Sequence, residues 1–238
     1  MNLLPESELI AMGLTSYKEF LDKNPPLNTT DQQAFMVRDV GTKISVAVIN
    51  YMRQNGFSER VKGYKWEFNL VNSPELNAWC LPGGKVVVYS GLLPVTKDEA
   101  GLAFVLGHEI AHAVARHGNE RMSQMLVAQT GGIVLDAALS TQSAQTHQLL
   151  MEAYGAGAQI GVILPFSRSH ESEADKLGMI FMAMAGYDPT QAPLVWDRMI
   201  KMNSGTKPPE FLSTHPADDK RIKDIRNFVP SAMKFYKK

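Results

Sequence analysis

The chain has almost no cysteine: Cys80 is the only one among 238 residues. A single thiol excludes an internal disulfide framework and any zinc site built on cysteine ligands. Excess charge is also missing, because 24 Lys and Arg are matched by 24 Asp and Glu. With no basic block either, nothing electrostatic points to nucleic acid as a partner. Long hydrophobic runs are absent too. The most apolar stretch, 153–166, is interrupted by Gln159 and Pro165 and falls short of the roughly 20 residues that span a bilayer. No transmembrane helix is expected. The start, MNLLPESELIAMG, lacks the basic and long apolar regions of a secretory leader. There is no internal repeat, which removes a tetratricopeptide-type binding surface.

What is present is globular. Hydrophobic residues make up 45% and charged residues 20%, enough to build a sizeable core. We read residues 1–238 as a single domain, with 1–30 as an N-terminal helix and connector and 31–238 as the core. Phe35, Val37, Val40, Ile44, Val48, Ile49 and Met52 predict a helix over 31–54. Strand-like pieces follow at 65–71, 76–80 and 85–90, the last behind Pro82, Gly83 and Gly84. Thr96 and Glu99 match a capping box, and the helix they open runs to about His117 and stops at Gly118. Residues 119–164 predict one or two helices packed closely around Gly131-Gly132 and Gly155/Gly157. Ser167 or Ser169 caps a further helix, and Pro216 opens a last one with Asp218 and Asp219 at its positive end. The fold class is therefore α+β, a mostly helical arrangement with a small sheet ahead of the His108 helix.

Residues 108–112 read HEIAH. On a helix, positions i and i+4 differ by about 40° in azimuth and about 6 Å along the axis. His108 and His112 can therefore reach one metal ion. Glu109, about 100° round, lies beside such an ion, where a carboxylate can take a proton from water. Leu102, Phe104, Val105, Leu106, Ile110 and Val114 make this a core helix, and imidazoles on a core helix need polar partners or a metal. The extended metzincin pattern is excluded, because Ala115 and Gly118 stand where it requires glycine and histidine. His117, about 140° from His112, is read as interacting with the helix end. A third ligand is sought in HESEAD, residues 170–175. Glu171 and Asp175 share one helix face. They are either a solvated acidic face or a ligand with a carboxylate that orients a histidine.

HEIAH followed some 60 residues later by ESEAD resembles the gluzincin zinc metallopeptidases of family M48, which includes the CaaX prenyl proteases, HtpX and the Oma-like proteases. NAWCLPGGKVVVYSGLL (77–93), SRSHESEADKLG (167–178), AGYDP (185–189) and STHP (213–216) are similar to its soluble bacterial periplasmic Oma-like branch. The resemblance covers roughly residues 65–228. It implies His108, His112 and Glu171 as ligands of one Zn2+ per chain, Glu109 as general base and Asp175 as their hydrogen-bonding partner. His215 matches a histidine near the active site. The strand 85–90 resembles the family's edge strand, so Asn77, Ala78, Val86, Val87 and Val88 are expected to bind substrate.

The implied function is a zinc-dependent endopeptidase that cleaves unfolded or misfolded envelope proteins through a metal-activated water. The implied location is the bacterial cell envelope, in the periplasm, with a lipid anchor outside this chain. The partner would be a protein or peptide substrate. The competing reading is a chaperone-like protein-binding module whose zinc site is latent. A purely structural zinc site is disfavoured by the lone Cys80 and by the presence of Glu109.

Overall fold

The computed structural model describes residues 2–140, 143, 145–148, 150–152, 164–202, 210–216 and 219–237. Helix α1 (Glu6–Lys23) leads through a connector into α2 (Gln32–Gln54). The Asp31 carboxylate caps α2 by accepting from the backbone N–H groups of Gln33 and Ala34. Val37, Val40, Ile44, Val48 and Met52 form its buried stripe, whereas Phe35 and Ile49 are exposed on its flanks.

Three strands follow: β1 (Glu67–Val71), β2 (Ala78–Leu81) and β3 (Lys85–Tyr89). Their spatial order is β1-β3-β2. β1 runs parallel to β3, with Glu67 opposite Lys85. β2 runs antiparallel to it, with Ala78 opposite Val88. Gly83 and Gly84 turn the chain between β2 and β3 at φ of 92° and 84°, a region that glycine enters at little cost. This topology corrects one expectation: β3 is the central strand. Val86, Val87 and Val88 are fully buried, and both sides of β3 are paired. A run of β-branched residues marks a strand covered on both faces. The edge strand is β2.

Further α-helices among the described residues are α3 (Leu93–Thr96), α4 (Glu99–Val114), α5 (His117–Ala138), α6 (Leu164–Met184), α7 (Ala192–Met202), α8 (Glu210–Thr214) and α9 (Asp219–Ala232). The cap of α4 is Asp98, which accepts from the N–H of Gly101, not Thr96. Thr96 instead closes α3 by donating to the Leu93 carbonyl. α4 ends at Val114 rather than near His117. Arg116 takes the left-handed conformation, at φ 66° and ψ 30°. His117 then opens a new helix, with Gly118 inside its first turn. Gly131 and Gly132 lie on α5 and are partly buried. Ser167 and Ser169 fall within α6, and Pro216 is not helical. Gly155, Gly157, Asp218 and most of the run 153–166 lie outside the described residues. Among the described residues, no helix is long and apolar enough to cross a membrane.

α4 is the axis of the fold. Every residue from Leu102 to Ala111 is buried, so its apolar side chains each contribute about 1.5–3 kcal/mol by leaving water. α2 and β2 cover one side and α6 the other. The α4–α6 crossing is glycine against glycine. A Cβ on Gly107 would lie 2.8 Å from the Gly178 carbonyl oxygen, and one on Gly178 would lie 2.8 Å from the His108 nitrogen. Only residues without side chains let the two backbones approach so closely, and that approach carries Glu171 and Asp175 to the two histidines.

Candidate metal centre

His108 and His112 stand one turn apart on α4, with their Nε2 atoms 3.1 Å from each other. Glu171 arrives from α6, its Oε1 3.3 Å from His112 Nε2 and its Oε2 3.5 Å from His108 Nε2. His215, just after α8, places Nδ1 3.3 Å from His108 Nε2 and 3.0 Å from Glu171 Oε2. Donor atoms of these four residues all lie within 4.8 Å of one another. A tetrahedral zinc with arms of about 2.0–2.1 Å holds its ligand atoms about 3.3 Å apart. The separations seen match that edge length, so the residues fit the ion. Imidazole nitrogens and carboxylate oxygens are also zinc's usual donors. Glu109 points into the same space. It is 4% exposed, and its Oε1 has no hydrogen-bond partner among the described residues. That oxygen lies 3.4 Å from His215 Nε2.

Around these groups stands a second ring. Asp175, one turn beyond Glu171 on the same face, places Oδ1 3.0 Å from His108 Nδ1. Arg221 of α9 was not anticipated from sequence. Its guanidinium donates to both oxygens of Asp175, at 2.7 and 2.9 Å, and stands 2.8 Å from Glu171 Oε2. It also donates to the Pro216 carbonyl beside His215 and lies over the Trp196 ring at 4.1 Å. Within DDKRIKD it reads like its neighbours Lys220 and Lys223, and only burial distinguishes it. His117 was read as pointing away. The left-handed Arg116, a backbone state costing about 1–2 kcal/mol, instead folds it back onto the site. His117 Nδ1 is 3.0 Å from His112 Nδ1, and its Nε2 is 3.2 Å from Glu173 Oε2. Arg116 is held by Glu6 of α1, at 2.9 Å.

The charges are mutually adjusted. Burial pushes the His108 pKa down, but the Asp175 and Glu171 carboxylates outweigh it and raise it to about 9. Burial and the neighbouring His108 charge hold His112 well below the ordinary histidine range. Burial raises Glu109, opposed by His215 and His108, the direction a general base requires. Burial opposes ionisation of Glu171 and Asp175. Hydrogen bonds from His108 and His215 to Glu171, and from Arg221 to Asp175, overcome it and hold both carboxyls low. Burial likewise lifts the Cys80 thiol, so Cys80 is an inert group in the wall and not a nucleophile.

A cavity of about 750 Å³ opens over this cluster. Leu9 and Met12 of α1, Cys80 and Leu81 of β2, and Met122 of α5 line it beside Glu109 and His112. Asn77 precedes β2, and its side chain accepts from the Ala78 N–H. Trp79 packs away from the cavity, edge-on to Tyr17 and Phe20 of α1.

The model of peptidase family M48 matches residues 43–229. The mitochondrial metalloendopeptidase OMA1 of Schizosaccharomyces pombe is 40% identical over 71% of this chain and 48% of its own length. Its namesake in Saccharomyces cerevisiae is 34% identical over 92% of the chain and 61% of its own length. The beta-barrel assembly-enhancing protease of Yersinia pestis is 35% identical over 68% of the chain and 34% of its own length. The chain thus spans between 34% and 61% of these relatives. One expectation is overturned. A bacterial cell-envelope location followed from the resemblance to a periplasmic branch, but the Schizosaccharomyces, Saccharomyces and Arabidopsis relatives are all mitochondrial by name. Envelope proteins as substrates rested on that location alone. On the family match across most of its length, this chain belongs to peptidase family M48, and its domain is that of a zinc metalloprotease.

Proposed function

We propose that this chain is a zinc-dependent endopeptidase in which His108, His112 and Glu171 hold one zinc ion and Glu109 is the general base. The observation that carries the reading is the convergence of the His108, His112 and Glu171 donor atoms, 3.1–3.5 Å apart, beside the buried Glu109 carboxylate, whose Oε1 accepts no hydrogen bond among the described residues. When bound, zinc supplies Lewis-acid polarisation of the scissile carbonyl and acidifies water. Glu109, with its raised pKa, takes the water proton and delivers it to the leaving amine. Asp175, with Oδ1 3.0 Å from His108 Nδ1, orients that ring and keeps its Nε2 lone pair toward the metal. Arg221 balances the charge of Asp175 and Glu171. An extended stretch of unfolded or misfolded protein would enter the cavity along β2. The Asn77 carbonyl accepts from the Tyr89 N–H of β3, so alternation turns the backbone groups of Ala78 and Cys80 to the free edge. The Ala78 N–H is engaged by Asn77, which leaves the Cys80 groups to pair with substrate as an added strand.

Glu109→Gln tests the base. It is expected to keep stoichiometric zinc, read by metal analysis, and to lose cleavage of an unstructured protein by at least about 100-fold. Cleavage at the parent rate would sink the assignment.

A second reading has one observation behind it. His215 Nδ1 belongs to the donor group, and four ligands close a zinc site against water. On that reading the chain binds protein without cutting it. Under the endopeptidase reading His215 turns aside, and its imidazole donates to the oxyanion. His215→Ala separates the two: faster cleavage marks a closing ligand, and slower cleavage with unchanged zinc content marks an oxyanion donor.

A further inference from the structure

The two metal-facing histidines are anchored differently. His108 reaches a carboxylate directly, with Nδ1 3.0 Å from Asp175. His112 has another imidazole in that place. Its Nδ1 is 3.0 Å from His117 Nδ1, and His117 Nε2 is 3.2 Å from Glu173 Oε2. Two ring nitrogens at that distance share one proton, since two acceptors would repel and two donors would clash. If the His112 Nε2 lone pair faces a metal, the proton between the rings sits on His112 Nδ1. His117 then accepts through Nδ1, carries its own proton on Nε2 and donates it to Glu173. Each hydrogen bond in the row has one proton and one acceptor, and the carboxylate at the end decides every tautomer.

Three further features hold the row in place. His117 is 4% exposed. Its ring stacks on His170 at 4.3 Å and 13°, and His170 Nε2 lies 3.1 Å from Glu120 Oε2. The contact with His112 also depends on the helix break. Five residues along an unbroken helix is about 140° round the axis, and the left-handed Arg116 removes that separation.

We propose that His117 is a positioning residue for the metal centre: through it, the Glu173 carboxylate fixes the tautomer and tilt of His112. This rests on the reading of His112 as a zinc ligand. Outer partners of metal-bound histidines are worth roughly 10–100-fold in metal affinity. A relay through a second imidazole makes His112 the ligand whose grip can be set from the surface, because Glu173 is exposed whereas Asp175 is not.

The experiment is zinc affinity of the 238-residue chain by competition with a chromophoric chelator, paired with ring ¹⁵N NMR of the histidines. His112→Ala is the control for the site and is expected to abolish tight binding. His117→Ala is expected to weaken zinc by roughly 10–100-fold and to erase the Nδ1–H signature of His112. His117→Asn restores an acceptor near the lost Nδ1 and is expected to bind zinc within about threefold of the parent chain. If His112→Ala keeps parental affinity, the metal assignment itself falls. If His112→Ala loses zinc while His117→Ala retains it within twofold, only the positioning role falls. Equal weakening in the Ala and Asn variants would reduce His117 to packing and overturn the proposal. Should His117→Ala fail to fold, Glu173→Gln decides. Its affinity drops several-fold if the relay operates, and parental affinity with an unaltered His112 spectrum overturns it.

Discussion

Helices α4 and α5 follow one another with two residues between them, and both are rich in small and apolar side chains. α4 buries Leu102, Phe104, Leu106 and Ile110 completely. α5 does the reverse: it exposes Met125, Leu126, Val127, Ile133 and Val134 and buries His117, Asn119, Ser123 and Gln124. Its buried face is polar because it meets the N-terminal segment and the metal centre. Ser123 accepts from the Leu3 N–H, and Asn119 donates to the Leu4 carbonyl. Composition therefore says which helix can enter a core, while the neighbours waiting for each face decide which one does.

This contrast can be broken most strongly at Arg221, the ion-paired heart of the buried region. Arg221→Ala leaves Asp175 and Glu171 buried without their cation, and the expected loss is about 3–5 kcal/mol in urea denaturation. A loss below 1 kcal/mol would mean that the carboxylates find other partners. Next comes a matched pair of truncations. Leu106→Ala on α4 is expected to cost about 2–5 kcal/mol, and Val134→Ala on α5 less than about 0.5 kcal/mol. Equal effects would mean that the exposed face of α5 is covered in solution.

A smaller effect follows from His108. Its folded pKa of about 9 stands above the ordinary 6.5. In chelator-treated protein, the stability gained from its proton is full below pH 6.5 and is lost as pH rises through about 9. Thermal midpoints of the chelated chain should therefore fall across that window, while zinc affinity rises, because metal and proton compete for the same nitrogen. A flat profile in chelator would contradict the raised pKa.

Much of the fold was legible because periodicity and caps are local. The α2 stripe, the three strand regions and the position of HEIAH on a core helix came from spacing alone. Other features depended on neighbours. Thr96 and Glu99 match a capping box, but residues 93–96 form a turn of their own, and Asp98 caps α4. The likeness of the Val-rich β3 to the family's edge strand points to an edge, but such a run is what a central strand needs. Arg116 falls on a helical run in the sequence, yet it takes the left-handed state and pairs with Glu6 of α1.

What the sequence alone determined was the pair of imidazoles at helical spacing, the carboxylate beside them, and a second acidic pair one turn apart further along. Those relations are fixed by the geometry of a single helix. Tertiary structure alone decided that Gly107 and Gly178 touch, that Arg221 rather than Lys220 or Lys223 meets the acids, and that His117 turns back to His112. Each of these joins residues far apart in the chain or across a helix break, and no periodicity links positions whose contact depends on how close two backbones can pass.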